Sequence, residues 1–324
     1  MLSFIARRLI GMLVVLFCTA SLLFALMKMA PGDPARLIAG QTADPNILAK
    51  VRAEWHLDDP IPKQYVWWMG QLVRLELPDS YVQNRPVSHV LANKVVATCA
   101  LAFCSIILAF LLGTAAGIIG AYFQGTWLDT AVLTTSLIWI STPVFWLGLM
   151  FILLFASRLR WLPASGYGMG ETYLPGLGPE FFQPLPEPAH LVLPAVSLAL
   201  LSTGYFARMM RSSLLEVVRQ DFIRTATAKG LSPKRVILKH ALRNALIPVV
   251  TIVGINFAGL LGGAVATEYV FAWPGMGKEL LNAINLRDYP VMMGGVLSIA
   301  TVFVCVNLLV DISYAWIDPR IRHE

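Results

Sequence analysis

The chain has 324 residues, 57% hydrophobic and 14% charged, with a net charge of +6. Soluble domains carry about 25% charged residues, so this composition excludes an ordinary water-facing globular protein and points to lipid as the solvent of the excess apolar surface. The four cysteines, Cys18, Cys99, Cys104 and Cys305, lie in apolar runs without a C-x-x-C pair, which implies neither a disulfide framework nor a metal site.

Six apolar runs approach the roughly 20 residues needed to cross about 30 Å of hydrocarbon. The first, 9–29, follows Arg7-Arg8; it is longer than a signal-peptide core and is expected to be an uncleaved helix. In the loop 30–97, Asp44-Pro45 reads as an N-cap with proline at the first helical position. Ile47, Leu48, Val51 and Trp55 follow at helical spacing. A second segment, 63–75, places Tyr65, Trp67 and Trp68 beside Lys63 and Arg74, which suits either a helix in the membrane interface or a packed outer cap. The second and third runs are 97–122 and 130–156. Residues 163–194, rich in Pro and Gly, read as an irregular loop. The fourth run, 191–210, is the weakest, with Pro194, Ser197, Ser202, Thr203, Gly204 and Arg208 inside it. The fifth and sixth are 246–267 and 291–316. Gly113 with Gly117, and Gly259 with Gly263, form G-x-x-x-G pairs that permit close helix contact. There is no internal repeat.

Orientation follows from Lys and Arg. With the N-terminus inside, the inner segments hold thirteen basic residues, nine of them between Arg208 and Arg243, and the short outer loops hold four. Both termini are therefore expected in the cytoplasm. The inner segments then carry a net +8 and the outer ones −2. The basic character faces anionic headgroups, and no nucleic acid is implied.

The chain contains no G-x-x-x-x-G-K-[ST]; Gly275-Met276-Gly277-Lys278-Glu279 lacks the hydroxyl residue and reads as a Gly-rich turn. H-E-x-x-H and G-x-S-x-G are also absent, so no catalytic residue, cofactor or metal site is expected. Lys28, Arg208 and Asp311 are placed near helix ends rather than mid-membrane, where an ion-coupled carrier would need them. The energy source must lie in another subunit. A secondary carrier and a membrane-embedded enzyme are the rival readings; the first would transport without a partner, and the second would need a clustered acid, base or metal set.

The connection 211–246 has a definite pattern. Residues 214–229 read as a helix ended by Gly230, and Ser232-Pro233 start a second helix running through Val236, Ile237, Ala241 and Leu242 to Pro248. Thr225, Ala226, Thr227 and Ala228 are small enough to seat in a partner's groove, ringed by Arg224, Lys229, Lys234 and Arg235. A solvated basic loop that only sets topology is the plainer alternative.

The stretch Asp221-Phe-Ile-Arg-Thr-Ala-Thr-Ala-Lys-Gly-Leu231, followed by His240-Ala-Leu-Arg-Asn-Ala-Leu-Ile-Pro248, resembles the coupling motif of binding-protein-dependent ABC permeases, in particular the peptide/nickel branch. Arg224, Thr225 and Ala226 stand in the place of its Glu-Ala-Ala, Gly230 keeps the glycine, and Ile247-Pro248 takes the closing place. Arg7-Arg8, Pro31-Gly32-Asp33-Pro34, Phe271-Ala-Trp-Pro-Gly-Met-Gly277, Arg287-Asp-Tyr-Pro290, Asn307-Leu-Leu-Val-Asp311 and Asp318-Pro-Arg-Ile-Arg322 resemble that branch in order. Leu75-Glu-Leu-Pro-Asp-Ser80 departs from its Gly-Asp-Leu-Gly-type run.

The resemblance implies an all-α integral membrane protein of the bacterial inner membrane with six helices and type I ABC-importer architecture. It implies a region 1–96 with the first span and a large periplasmic loop, a five-helix core 97–316 and a cytoplasmic tail 317–324. The implied partners are a second homologous permease, two ATP-binding cassette ATPases and a solute-binding protein. Small peptides are the leading solute, with nickel or another metal chelate, or glutathione, as alternatives. Arg224, Thr225, Ala226, Ala228, Lys229, Gly230 and Pro248 are the implied coupling residues. Ser141, Thr142, Ser197, Ser202, Thr203 and Asn256 are expected along the translocation path, because lipid-facing polar groups without partners are costly; plain helix-to-helix hydrogen bonding is the alternative.

Overall fold

The computed structural model describes residues 2–29, 33, 35–36, 44–74, 76–77, 79–80, 82–83, 85–168 and 186–317. The Pro31-Gly32 and Pro34 positions, Gly176 and the tail motif from Asp318 lie outside the described residues, as does the Asp311 side chain. Among the described residues, five helices are long and apolar enough to cross a membrane, or six when one bent pair is counted as a single span. The chain divides into two compact units.

The first unit takes in residues 1–97, 171–185 and 274–308. Helix α1 (Leu2–Met29) is followed by α2 (Pro45–Glu54) and α3 (Ile61–Val73). The expected cap of α2 is present: the Asp44 carboxylate accepts from Asn46 N at 2.8 Å, satisfying one of the donors that open a helix. Trp55 and Trp68 are buried with Phe24 of α1, and Phe24 meets Tyr65 edge-on at 5.3 Å. The Ser21 and Tyr65 hydroxyls lie 2.7 Å apart. Trp68 and Tyr65 of α3 are thus packed within the protein, while Ile61, Val66 and Val73 of the same helix are exposed. Lys28 ends α1 by donating to the Gln64 side chain, which supports its placement at a helix end. A short antiparallel pair, β1 (Asp79–Ser80) and β2 (Arg85–Pro86), precedes helix α4 (Val87–Tyr122). The α4 helix begins ten residues before the expected 97, and its first turns bury Val87, Val90 and Leu91 against Met276 and Ala283.

The second unit takes in residues 98–170, 186–273 and 309–324. Beyond α4 it contains α5 (Trp127–Ser141), α6 (Val144–Phe151) and a π-helical turn (Ile152–Arg158). The third run is not a straight helix over 130–156. Its two halves meet at 99°, because Pro143 has no N–H and forces Thr142 into extended backbone (φ −86°, ψ 127°).

Helix α7 (Pro188–Val218) lies at the centre of this unit. It is the least apolar of the spans together with the fifth, yet 56% of its most apolar window is buried, against 11% for α1. Ser197, Ser202, Thr203 and Ser213 face protein, so lipid imposes no demand on them. Gly113 and Gly117 of α4 lie against it: a methyl group at either would sit 2.6 Å from the Cβ of Phe206 or Met210. This G-x-x-x-G pair therefore packs one helix of the chain on another, whereas Gly259 meets nothing within 4 Å. Arg208, expected near a helix end, lies well inside α7, which runs on to Val218; its guanidinium stacks over the Tyr205 ring at 5.8 Å.

The expected single helix 214–229 is also corrected. It breaks at Gln220, whose extended backbone (φ −76°, ψ 154°) separates α7 from α8 (Asp221–Ala228). After Gly230 the chain restarts, as expected, at Pro233 with α9 (Pro233–Arg235). It continues through a π-helical turn (Val236–Ala241) into α10 (Leu242–Gly263). Pro248 is absorbed inside α10 rather than ending it. Helix α11 (Val265–Val270) completes the unit, while α12 (Met276–Leu286) and much of α13 (Tyr289–Ile317) belong to the first. Gly275 is the N-cap position of α12, a structural role for the Gly-rich turn.

Candidate functional site

Helix α8 is strongly two-faced. Ile223 and Ala226, three residues apart, are buried at 3% and 7% exposure, while Phe222, Arg224, Thr225, Ala228 and Lys229 face outward. The inward pair packs in the layer formed by α7 and the π-helical turn, where Val236, Ala241 and Ala245 are buried. The outward face therefore sits on a firm base and is uncovered. Arg224 makes an exposed contact with Asp221 at 3.4 Å.

The helix ends as its sequence suggests. Lys229 N donates to Thr225 O and Gly230 N to Thr227 O, at 3.1 and 2.9 Å. Gly230 then takes φ +78°, a left-handed conformation that side chains with a Cβ resist. A Cβ there would meet nothing within 4 Å, so conformation and not space demands the glycine. Pro248, assigned to the same motif, stands apart from this surface inside α10.

Two contacts join α7, which leads into α8, to other helices. Arg211 of α7 grips Asp129 of α5 through both carboxylate oxygens, Nε to Oδ1 at 2.5 Å and Nη2 to Oδ2 at 2.7 Å. Gly125 N donates to the same carboxylate at 3.0 Å. Ser213 Oγ donates to Ala245 O at 3.0 Å, joining α7 to α10. Sequence reasoning counted Asp129 and Arg211 only as charges. The available signal was an acid in the first turn of one apolar helix and a base near the end of another.

The path residues divide. Ser197, Ser202 and Thr203 are buried in the protein interior, and Ser197 and Thr203 return their hydroxyls to the Leu193 and Ala199 carbonyls. Ser141 is exposed and Thr142 half-exposed at the bend, with Thr142 Oγ1 donating to Ile138 O at 2.6 Å. Asn256 is half-exposed and donates to Ile252 O at 3.0 Å.

A further group escaped the sequence reading. Glu268 is fully buried and accepts from Thr98 Oγ1 at 2.6 Å, and its carbonyl accepts from Trp273 N at 2.8 Å. Tyr167 packs at a tilt against the buried Trp273, ring centroids 4.7 Å apart, and Gly166 N donates to Phe271 O at 2.9 Å. Burial pushes the Tyr167 hydroxyl up from the ordinary phenol range. This knot joins α4, α11 and residues 166–167 around the Phe271-Ala-Trp273 turn, one of the stretches that resemble the peptide branch.

A family model described as the inner-membrane component of binding-protein-dependent transport systems matches residues 113–323, and one described as the N-terminal membrane component matches residues 1–102. The chain belongs to this family. It is a multi-pass inner-membrane permease subunit of an ABC importer and not itself a catalytic one. The permease is 42% identical to the di/tripeptide transport system permease protein DppB of Pseudomonas aeruginosa, with all of both chains covered. It is 39% identical to the dipeptide permease DppB of Alkalihalophilus pseudofirmus, again over all of both chains. It is also 39% identical to the glutathione transport system permease GsiC of Escherichia coli, over all of both chains. An inward-facing structure of the MetNI methionine ABC transporter aligns with a TM-score of 0.54 at 20% identity, covering 69% of this chain and 94% of that one. The fold is that of a type I ABC-importer permease.

Proposed function

We propose that the permease forms the path for small peptides in an ATP-driven importer, paired with a second homologous permease, two ATP-binding cassette ATPases and a solute-binding protein. The full-length relationship to di/tripeptide permeases carries this reading. The glutathione permease favours a second one, and glutathione is itself a small peptide in its amides and carboxylates. The exposed face of α8 with Lys229 and Gly230 is the surface that an ATPase grips, because it is uncovered, small-featured and rigidly backed. Pro248 serves this surface at a distance, by shaping α10. Ser141, Thr142 and Asn256 line the path in the present state. Ser197, Ser202 and Thr203 reach it only if α7 moves relative to its neighbours. The functional regions are those of residues 1–96, 97–316 and 317–324.

Uptake tests the substrate. Vesicles holding the complete importer and its binding protein are expected to accumulate labelled di- and tripeptides only with internal ATP and external binding protein. Accumulation of a nickel chelate but of no peptide or glutathione overturns the reading.

Both termini are placed in the cytoplasm by the thirteen-to-four basic asymmetry. Single cysteines at Ser232 and Gly176, in a background without the four native cysteines, should label from opposite sides. If an impermeant thiol reagent reaches both in intact spheroplasts, this topology is wrong.

A further inference from the structure

The first unit holds a polar cleft of about 670 Å³ that neither the coupling surface nor the path uses. Small-ligand pockets run from about 300 to 1,000 Å³. Two helix faces form its walls. On α12, Glu279, Asn282, Ala283 and Leu286 recur at the spacing of one helical face, and α4 contributes His89, Asn93 and Lys94. Arg85 and Gln83 stand on the hairpin at its mouth.

The charges in the cleft are not equivalent. Asp288 is 3% exposed and already accepts from Ser80 Oγ and, at 3.4 Å, from Val291 N. Glu279 is 9% exposed and accepts from Gln83 Nε2 at 2.7 Å. Both acids thus have partners in the walls of the cleft. Lys94 lies 3.9 Å from Glu279, at the limit of an ion pair, and keeps donor capacity for a second partner. Arg85 is exposed and has no ion pair among the described residues. The lining balances two acids with two cations, and of these cations Arg85 is the one without an ion pair among the described residues, with the side-chain amide of Asn282 on one wall. A guanidinium fork matches a carboxylate in two parallel hydrogen bonds, and neutral amides match peptide groups.

We propose that this cleft binds the carboxylate end of a small peptide, with Arg85 holding the carboxylate, Lys94 assisting it and Asn282 meeting the adjacent peptide group. The inference rests on the peptide reading above and adds a site on the permease itself. Phosphate or another small anion would satisfy the charge but leave the amide unused, and a loop of a partner protein would not depend on a free carboxylate.

The test uses the full chain in lipid nanodiscs, with labelled Ala-Ala as the probe in a scintillation-proximity assay. Saturable binding is expected, weakened at least tenfold by amidating the peptide's C-terminus and to a similar degree by Arg85→Ala. Arg85→Lys, which keeps the charge but not the fork, should fall between. Equal binding of acid and amide, unchanged binding by Arg85→Ala, or displacement by inorganic phosphate as effective as by unlabelled Ala-Ala overturns the site. So does an absence of peptide binding, with or without weakened capture of the cognate binding protein by Arg85→Ala. Ala-Ala uptake by the complete importer separates the two readings. Uptake without cleft binding sinks the cleft alone, and absence of uptake of any peptide sinks the substrate reading.

Discussion

Replacing Asp129 with alanine is expected to lower the melting temperature of the detergent-solubilised permease by about 4–8 °C, corresponding to roughly 2 kcal/mol at about 2–4 °C per kcal/mol for a chain of this order. The Asp129 side chain is 7% exposed and the Arg211 side chain 20%, so removing the acid leaves a half-buried cation without its partner. Breaking such a pair from one side costs about 3–5 kcal/mol when the survivor stays fully buried, and the partial exposure of Arg211 reduces that figure. The loss also frees the Gly125 amide, which donates to the same carboxylate. A double-mutant cycle gives the decisive comparison. Asp129→Ala with Arg211→Leu should regain most of the lost stability, because no charge is then stranded. If the single and double variants melt alike, the pair is not what joins α5 to α7.

That ion pair marks where sequence reading runs short. Asp129 and Arg211 are 82 residues apart, and nothing in either neighbourhood names the other. The spans were legible because hydropathy needs only a local window. The coupling turn was legible because caps, prolines and terminal glycines act within a few residues. The 99° bend was less so: Ser141-Thr142-Pro143 sits between two apolar stretches that together pass as one span, and a window reports length without direction. The break at Gln220 and the passage of α10 through Pro248 were hidden for a related reason. Helix ends there depend on which layer the next segment packs against, and not on its own propensity. The weak fourth span illustrates the reverse. Ser197, Ser202, Thr203 and Gly204 lowered its apolarity because α7 is buried by its neighbours, so the least membrane-like stretch lies at the centre of its unit. Glu268 shows what remains out of reach, since its burial depends on Thr98, 170 residues away.

Gly230→Val is expected to leave membrane insertion and abundance near normal while reducing transport by about tenfold or more. The glycine takes φ +78°, and nothing lies within 4 Å of an added Cβ. The substitution therefore causes no clash, and its whole effect is conformational. Holding a β-branched residue in the left-handed region costs on the order of 1–2 kcal/mol, so the turn either stores that strain or rearranges. Rearrangement moves Lys229 and the end of α8, whose outward face is the proposed ATPase seat, whereas Ile223 and Ala226 beneath it stay buried and hold the fold. A seat displaced at an otherwise intact interface separates hydrolysis from transport, so ATPase activity in the complete importer should lose its response to loaded binding protein. Gly230→Asn, which tolerates left-handed backbone, should retain most transport. Lys234→Ala should change little, because a lone exposed charge contributes little. Transport and stimulated ATPase activity in reconstituted vesicles, with subunit content checked by gel, measure all three. Wild-type coupling in Gly230→Val, or equal losses in the asparagine and valine variants, would show that the left-handed turn does not transmit the ATPase stroke.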